Sequence, residues 1–124
     1  MKNYREINKE QHQLGSAYRK SSPDTMNAFI ALHKAVMKED EALALKYREM
    51  IALGIGIASR CDGCIAAHVA GAVKAGASRA ELIATVDVAV LMGGGPSIIY
   101  GTQAHAAIEE LLSWHSVLNM RVAK

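Results

Sequence analysis

The sequence predicts an all-α protein: a compact bundle of about six helices, with a Cys-x-x-Cys pair at the N-terminus of one of them. Three observations point this way. Apolar residues make up 51% of the chain but aromatics only 5%, so the core is built from Ala, Ile, Leu, Val and Met. Ala and Leu favour helix. Apolar positions recur three and four apart, and few segments show the period of two that a half-buried strand needs. At 124 residues the chain is read as one domain over 1–124, with no internal repeat, low-complexity tract or linker.

The first segment, to about Lys20, is polar and mixed in charge, a helix with little core of its own. Ser21-Ser22-Pro23-Asp24 is a break, with Pro23 placed to open a second helix. In that helix Met26, Phe29, Ile30, His33, Val36 and Met37 recur at helical spacing, and it ends near Lys38-Glu39-Asp40. A third helix starts between Asp40 and Leu45 and runs to about Ser59. Its first half carries Lys46, Arg48 and Glu49. Its second half, Met50 to Ala58, is apolar on every side and should be surrounded by protein. Gly54 and Gly56 cost roughly 1 kcal/mol each against Ala, which predicts close approach of another helix.

Cys61-Asp62-Gly63-Cys64 opens a fourth helix to about Ala75, with Gly76 as its stop. Ser78 and Glu81 have capping-box spacing for a fifth helix through Leu82, Ile83, Val86, Val90 and Leu91 to Met92. Gly93-Gly94-Gly95-Pro96 reads as a turn, and a long sixth helix runs from about Ser97 to Trp114 or beyond.

Composition also excludes functions. The net charge of +2 is small, its cations are scattered and stacking aromatics are few, so no nucleic-acid surface is expected. The N-terminal residues lack the apolar core of a signal peptide, and no uncharged apolar run is long enough for a bilayer. A cytoplasmic protein with no membrane partner is expected. Thiols rest reduced in that compartment, which favours a catalytic or metal-binding Cys pair over a structural staple. The high apolar fraction predicts burial against other copies of the chain.

The chemistry is carried by Cys61 and Cys64, the only cysteines, together with His68 and Glu49. Cys61 falls at or just before the first turn of its helix, where free N–H groups and the helix dipole favour an anion. Thiols so placed commonly have lowered pKa values, and the thiolate is the nucleophile. Cys61, Cys64 and His68 lie at i, i+3 and i+7 and share one face. His68 is nearest in register to Cys64. If the third and fourth helices pack as a hairpin, the Glu49 carboxylate reaches the thiols or His68. A carboxylate beside an apolar helix needs such a partner.

Simpler readings compete with this one. Cys61, Cys64, His68 and Glu49 together could supply four zinc ligands, although no second cysteine pair is present. A structural disulfide across one helical turn would close too short a loop to stabilise much. Glu49 could be an exposed residue beside Lys46 and Arg48, and His68 an ordinary helix histidine. His33 reads as a core or interface residue, and His12 and His115 lie near the ends. His105 could reach the site from the last helix, though nothing fixes it there. Asp87 reads as a hydrogen-bonded structural carboxylate and the methionines as core filler. The glycine triplet has no following Lys-Ser/Thr and is a turn, not a phosphate cradle.

Glu49, eleven residues, Cys61-x-x-Cys64, three residues and His68 together resemble the core motif of the AhpD-type alkylhydroperoxidases, in the carboxymuconolactone decarboxylase superfamily. The resemblance covers most of the chain after about residue 20. It includes Lys46 to Leu53, His68 to Ala77 and the Gly94-Gly95-Pro96 turn. It implies an AhpD-like all-α fold and a homo-oligomer, a hexamer built from dimers, with a trimer as the alternative. It also implies peroxidase chemistry in which one cysteine becomes a sulfenic acid and the other resolves it as a disulfide. Carried over, Cys64 attacks, Cys61 resolves, and Glu49 and His68 relay protons. The helix-dipole argument favours Cys61 as the attacking thiol, so the order stays open. The best-studied form of the motif has a histidine where this chain has Gly63. True lactone decarboxylases of the superfamily generally lack the cysteine pair.

The function expected is therefore a thiol-dependent peroxidase or disulfide reductase acting on small hydroperoxides. It would need no metal or organic cofactor and would draw electrons from an external dithiol or thioredoxin-like reductant. Two alternatives stand beside it: a lyase using Glu49 and His68, and a non-catalytic zinc-binding or scaffold oligomer.

Overall fold

Four of the helices begin where the sequence supplies a cap or an opening proline. A computed structural model describes residues 1–122, and these form α1 (Tyr4–Ser21), α2 (Pro23–Val36), α3 (Leu45–Ala58), α4 (Asp62–Lys74), α5 (Arg79–Gly93) and α6 (Gly95–Val122). Asn3 starts α1, its side chain accepting from the Glu6 N–H at 3.0 Å. Pro23 stands at the start of α2. Ser78 and Glu81 close a reciprocal capping box on α5, at 3.1 and 2.9 Å. Gly76 follows α4 at φ +95°, a conformation that strains any residue with a Cβ. No strand is present among the described residues.

The core lies among α3, α4, α5 and α6. Leu53, Ile57, Ile65, Val69, Leu82 and Ile108 are fully buried in it. α3 and α4 form the expected hairpin, joined by a short turn through Arg60 at φ +56°. They approach closely at Gly56, where an added Cβ would stand 3.0 Å from the Cys64 Cβ. The expected glycine-mediated contact is thus found there. At Gly54 the nearest atom, on Thr85, would be 3.9 Å away, ordinary contact.

The loop before α3 is held by one side chain. Arg48 donates to the carbonyls of Leu43 (2.9 Å) and Val36 (2.8 Å) and to Asp40 (2.6 Å). Backbone N–H donation from Leu43, and then the Arg48 guanidinium, hold the Asp40 carboxyl below its ordinary pKa.

Several expectations need correction, though α1 has as little core as expected: Tyr4, 1% exposed, is its one fully buried residue. Ile7 packs against the core beside it, and polar bonds complete the seat, with Glu110 accepting from the Tyr4 and Arg5 N–H groups and Asn8 donating to the Ala66 carbonyl. α2 has the predicted apolar spacing but buries nothing. Phe29, Leu32 and Val36 are exposed, and so is His33, which rules out a core role for it within the chain. The apolar half of α3 is not enclosed by this chain either, since Ile51 and Ile55 are more than half exposed. Met92 stands out in solvent, so the methionines are not uniformly core filler. The glycine turn is shorter than expected. Gly93 ends α5, Gly94 alone makes the turn at φ +69°, and α6 starts at Gly95. Among the described residues, no helix is long and apolar enough to cross a membrane.

Candidate active site

Cys61 occupies the N-cap of α4, and its Sγ accepts a hydrogen bond from the Cys64 N–H at 3.1 Å. The two cysteines are joined as a disulfide, with Cα atoms 5.2 Å apart. The sulfur pair therefore sits on the positive end of a helix dipole, where a thiolate is favoured once the bond is reduced. Both cysteines are only partly buried, so small molecules can reach them.

Glu49 lies inside the molecule, 7% exposed, despite its charged sequence neighbours. Lys46 and Arg48 do not pair with it; they engage Glu81 and Asp40. The Glu49 carboxylate instead meets Nδ1 of His68 at 2.7 Å. Gly71, three residues after His68 on α4, makes room for it, because a Cβ there would stand 2.6 Å from the carboxylate. With Glu49 ionised, Nδ1 carries the proton and donates it, leaving Nε2 as the basic nitrogen of the ring. His68 is one turn beyond Cys64 on the same helix, so the buried carboxylate orients an imidazole beneath the sulfur pair.

The other candidates lie elsewhere. His105 is exposed on α6, 3.8 Å from Glu109 on its own helix. Asp87 is exposed on α5 and forms no side-chain hydrogen bond among the described residues, so it is not the bonded structural carboxylate expected. Among the described residues no three His, Cys, Asp or Glu side chains form a set that could hold a metal ion.

Sequence reasoning missed the contribution of α1 to this end of α4. Lys2 pairs with Asp62, inside the Cys motif, at 2.8 Å and also donates to Gln103. Gln11 lies over Gly63, its Cγ and Oε1 4.0 Å from where a Cβ would be. Residues fifty or sixty positions apart give no periodic signal, so only the packed chain reveals them.

Comparison with known proteins shows the family. A model of the carboxymuconolactone decarboxylase family matches residues 23–107. An uncharacterised protein from Cupriavidus necator is 32% identical over 106 residues, covering 86% of this chain and 89% of that protein. A carboxymuconolactone decarboxylase family protein from Legionella pneumophila has a crystal structure similar at TM-score 0.83 and 38% identity, over 88% of this chain and 96% of that one. Another, from Thermotoga maritima, for which a part in the antioxidative response has been suggested, is similar at TM-score 0.78 and 26% identity, over 90% and 93%. The matching family model and the likeness to the Legionella pneumophila protein place this chain in the carboxymuconolactone decarboxylase family.

Proposed function

We propose that the chain is a thiol-dependent peroxidase that reduces hydroperoxides through a Cys61/Cys64 dithiol–disulfide cycle. The observation that supports it is a sulfur couple at a helix N-terminus, one turn from an imidazole held by a buried carboxylate. A thiolate attacks the distal oxygen of ROOH, forming an S–O bond and breaking O–O. Nε2 of His68 first takes the proton of the attacking thiol and then returns it to the leaving alkoxide, which departs as ROH. The second thiol attacks the sulfenic sulfur, closing the disulfide and releasing water. Two thiols are oxidised for each peroxide reduced, and an external dithiol or thioredoxin-like protein returns the two electrons. Cys64, nearest His68, is the attacking thiol of this scheme, and Cys61 resolves it. Such a cycle suits a reducing compartment such as the cytoplasm.

The exposed apolar side chains of α3 and α5 support a homo-oligomer. Tyr47, Ile51, Ile55, Val88 and Met92 border a groove of about 470 Å³ with almost no polar surface, the kind of face that a second copy covers. Stopped-flow mixing of reduced protein with peroxide, with free thiols counted, tests the central reading. Two thiols lost per chain are expected, and retention of both removes it. The Glu49–His68 pair also favours a second reading, a lyase using the two as base and acid; that activity would survive Cys61→Ser and Cys64→Ser.

A further inference from the structure

Lys2 reaches the Cys motif from outside the helix that carries it. Its ammonium donates to both carboxylate oxygens of Asp62, at 2.8 and 2.9 Å, and to Gln103 of α6. It also stands 5.5 Å over the ring of Tyr100, on the same helix as Gln103. Groups from α4 and α6 thus hold one cation between them. Asp62 is the only acidic residue in the motif, and it follows Cys61 directly. The first N–H groups of α4 have no partners within the helix, and the helix dipole adds positive potential there. A thiolate on either cysteine draws on that potential. A loose carboxylate at Asp62 would compete for the same N–H groups and repel the thiolate. In the structure it is bound instead to a cation that α6 holds. Other ionisable groups near the motif are Arg60, which precedes it, the Glu49–His68 pair, and Tyr4, Tyr100 and Glu110 from α1 and α6.

We infer that Lys2 is a positioning residue for the thiol chemistry: it keeps the Asp62 carboxylate bound toward α6 and so leaves the open end of α4 to the sulfurs. Lys2 touches no reacting atom. The inference concerns the acidity of the thiols, involves no peroxide, and stands or falls apart from the peroxidase reading. Without Lys2 the carboxylate turns back over the helix end, the thiols become less acidic and the disulfide becomes harder to reduce. The two side chains are 39% and 40% exposed, so solvent screens the effect and keeps it small.

The rate at which iodoacetamide alkylates the fully reduced protein, followed against pH, reads the more acidic thiol. Lys2→Met should move the midpoint of that profile up by about half a pH unit and slow alkylation about threefold at neutral pH. Lys2→Arg, which keeps the charge, should restore both. Equilibration with glutathione should show the Lys2→Met disulfide about threefold harder to reduce. Asp62→Asn separates positioning from the distant effect of a charge. With no carboxylate to release, adding Lys2→Met on that background should change the alkylation rate by less than about 1.5-fold. Both positions lie at the surface, so the variants keep their fold. A merely structural clasp would shift the urea midpoint and leave both thiol readouts where they were. An unchanged profile in Lys2→Met, or the same slowing on the Asp62→Asn background, overturns the inference.

Discussion

α2 and α3 are both 14 residues long, yet they relate to the molecule in opposite ways. α2 has a clear apolar stripe and buries nothing, while α3 has apolar residues nearly all round and buries Glu49, Leu53, Gly56 and Ile57. The strength of the stripe does not rank the burial. What distinguishes α3 is its place against α4, α5 and α6, with small residues where it meets α4. Gly56 on α3 and Gly71 on the facing helix let the backbones approach and leave room for a carboxylate. α2 packs against α1, where Gly15 faces Met26, and lies outside the layer of helices that encloses the core, so its stripe stays uncovered. The cost of a glycine in a helix is thus tolerated at the two places where the site is assembled.

The sharpest way to break this contrast is to fill the space at Gly71. Gly71→Leu should cost about 3 kcal/mol in urea unfolding, because the carboxylate must leave His68 or α4 must shift. Thiol oxidation should fall with it. A variant as stable as the parent would show that the close approach does not matter.

Glu49→Gln keeps the shape and removes the charge. Peroxide-driven thiol loss should slow by about a hundredfold, the scale of a general acid or base contribution. Stability should fall by only about 1–2 kcal/mol. An unchanged oxidation rate would leave Glu49 as a packing residue.

Tyr4 sharpens the comparison from the α1 side. Its hydroxyl is buried with no hydrogen-bond partner among the described residues. Burial, and then the negative charges of Asp62 and Glu110, push its pKa from 10.0 up to about 12. A raised folded-state pKa contributes stability that is fully present below pH 10.0 and is lost as pH rises toward about 12. Tyr4→Phe should lose less stability than the parent across that window, read from urea midpoints at several pH values. At neutral pH the variant should match the parent or exceed it by about 1 kcal/mol, having no orphan hydroxyl.

The smallest effect belongs to α2. Phe29→Ser should change the stability of the isolated chain by less than about 0.5 kcal/mol, as at other exposed positions. A larger loss on dilution-sensitive assembly would place the α2 stripe against another copy.

Much of the fold was legible because it depends on neighbours in sequence. The capping box at Ser78 and Glu81, the stop at Gly76 and the N-cap position of Cys61 are all local, and each stands where the pattern put it. The meeting of Glu49 with His68 was legible for a different reason. An acid beside an apolar run needs a polar partner, and a hairpin offered one. The rest depends on which surfaces the chain covers. Nothing local separates the buried Tyr4 from the exposed Tyr18, or the exposed Ile55 from the buried Ile57 two residues on. His105 carried no pairing rule beyond its helix, and the fold turns it toward Glu109. Gln11 reaches the Cys motif, and Asn8 the Ala66 carbonyl just beyond it, only through the docking of α1, which no spacing encodes.

The hydrogen bond from the Cys64 amide to the Cys61 sulfur means that one atom is both a reagent and the first fastening of a helix. Anything bulky bonded to that atom competes with the amide for it. Blocking agents aimed at Cys61 should then loosen the opening turn of α4 and carry Asp62, with its tether to Lys2, out of register. A thiol-directed inhibitor of this protein would act on its shape as well as on its chemistry.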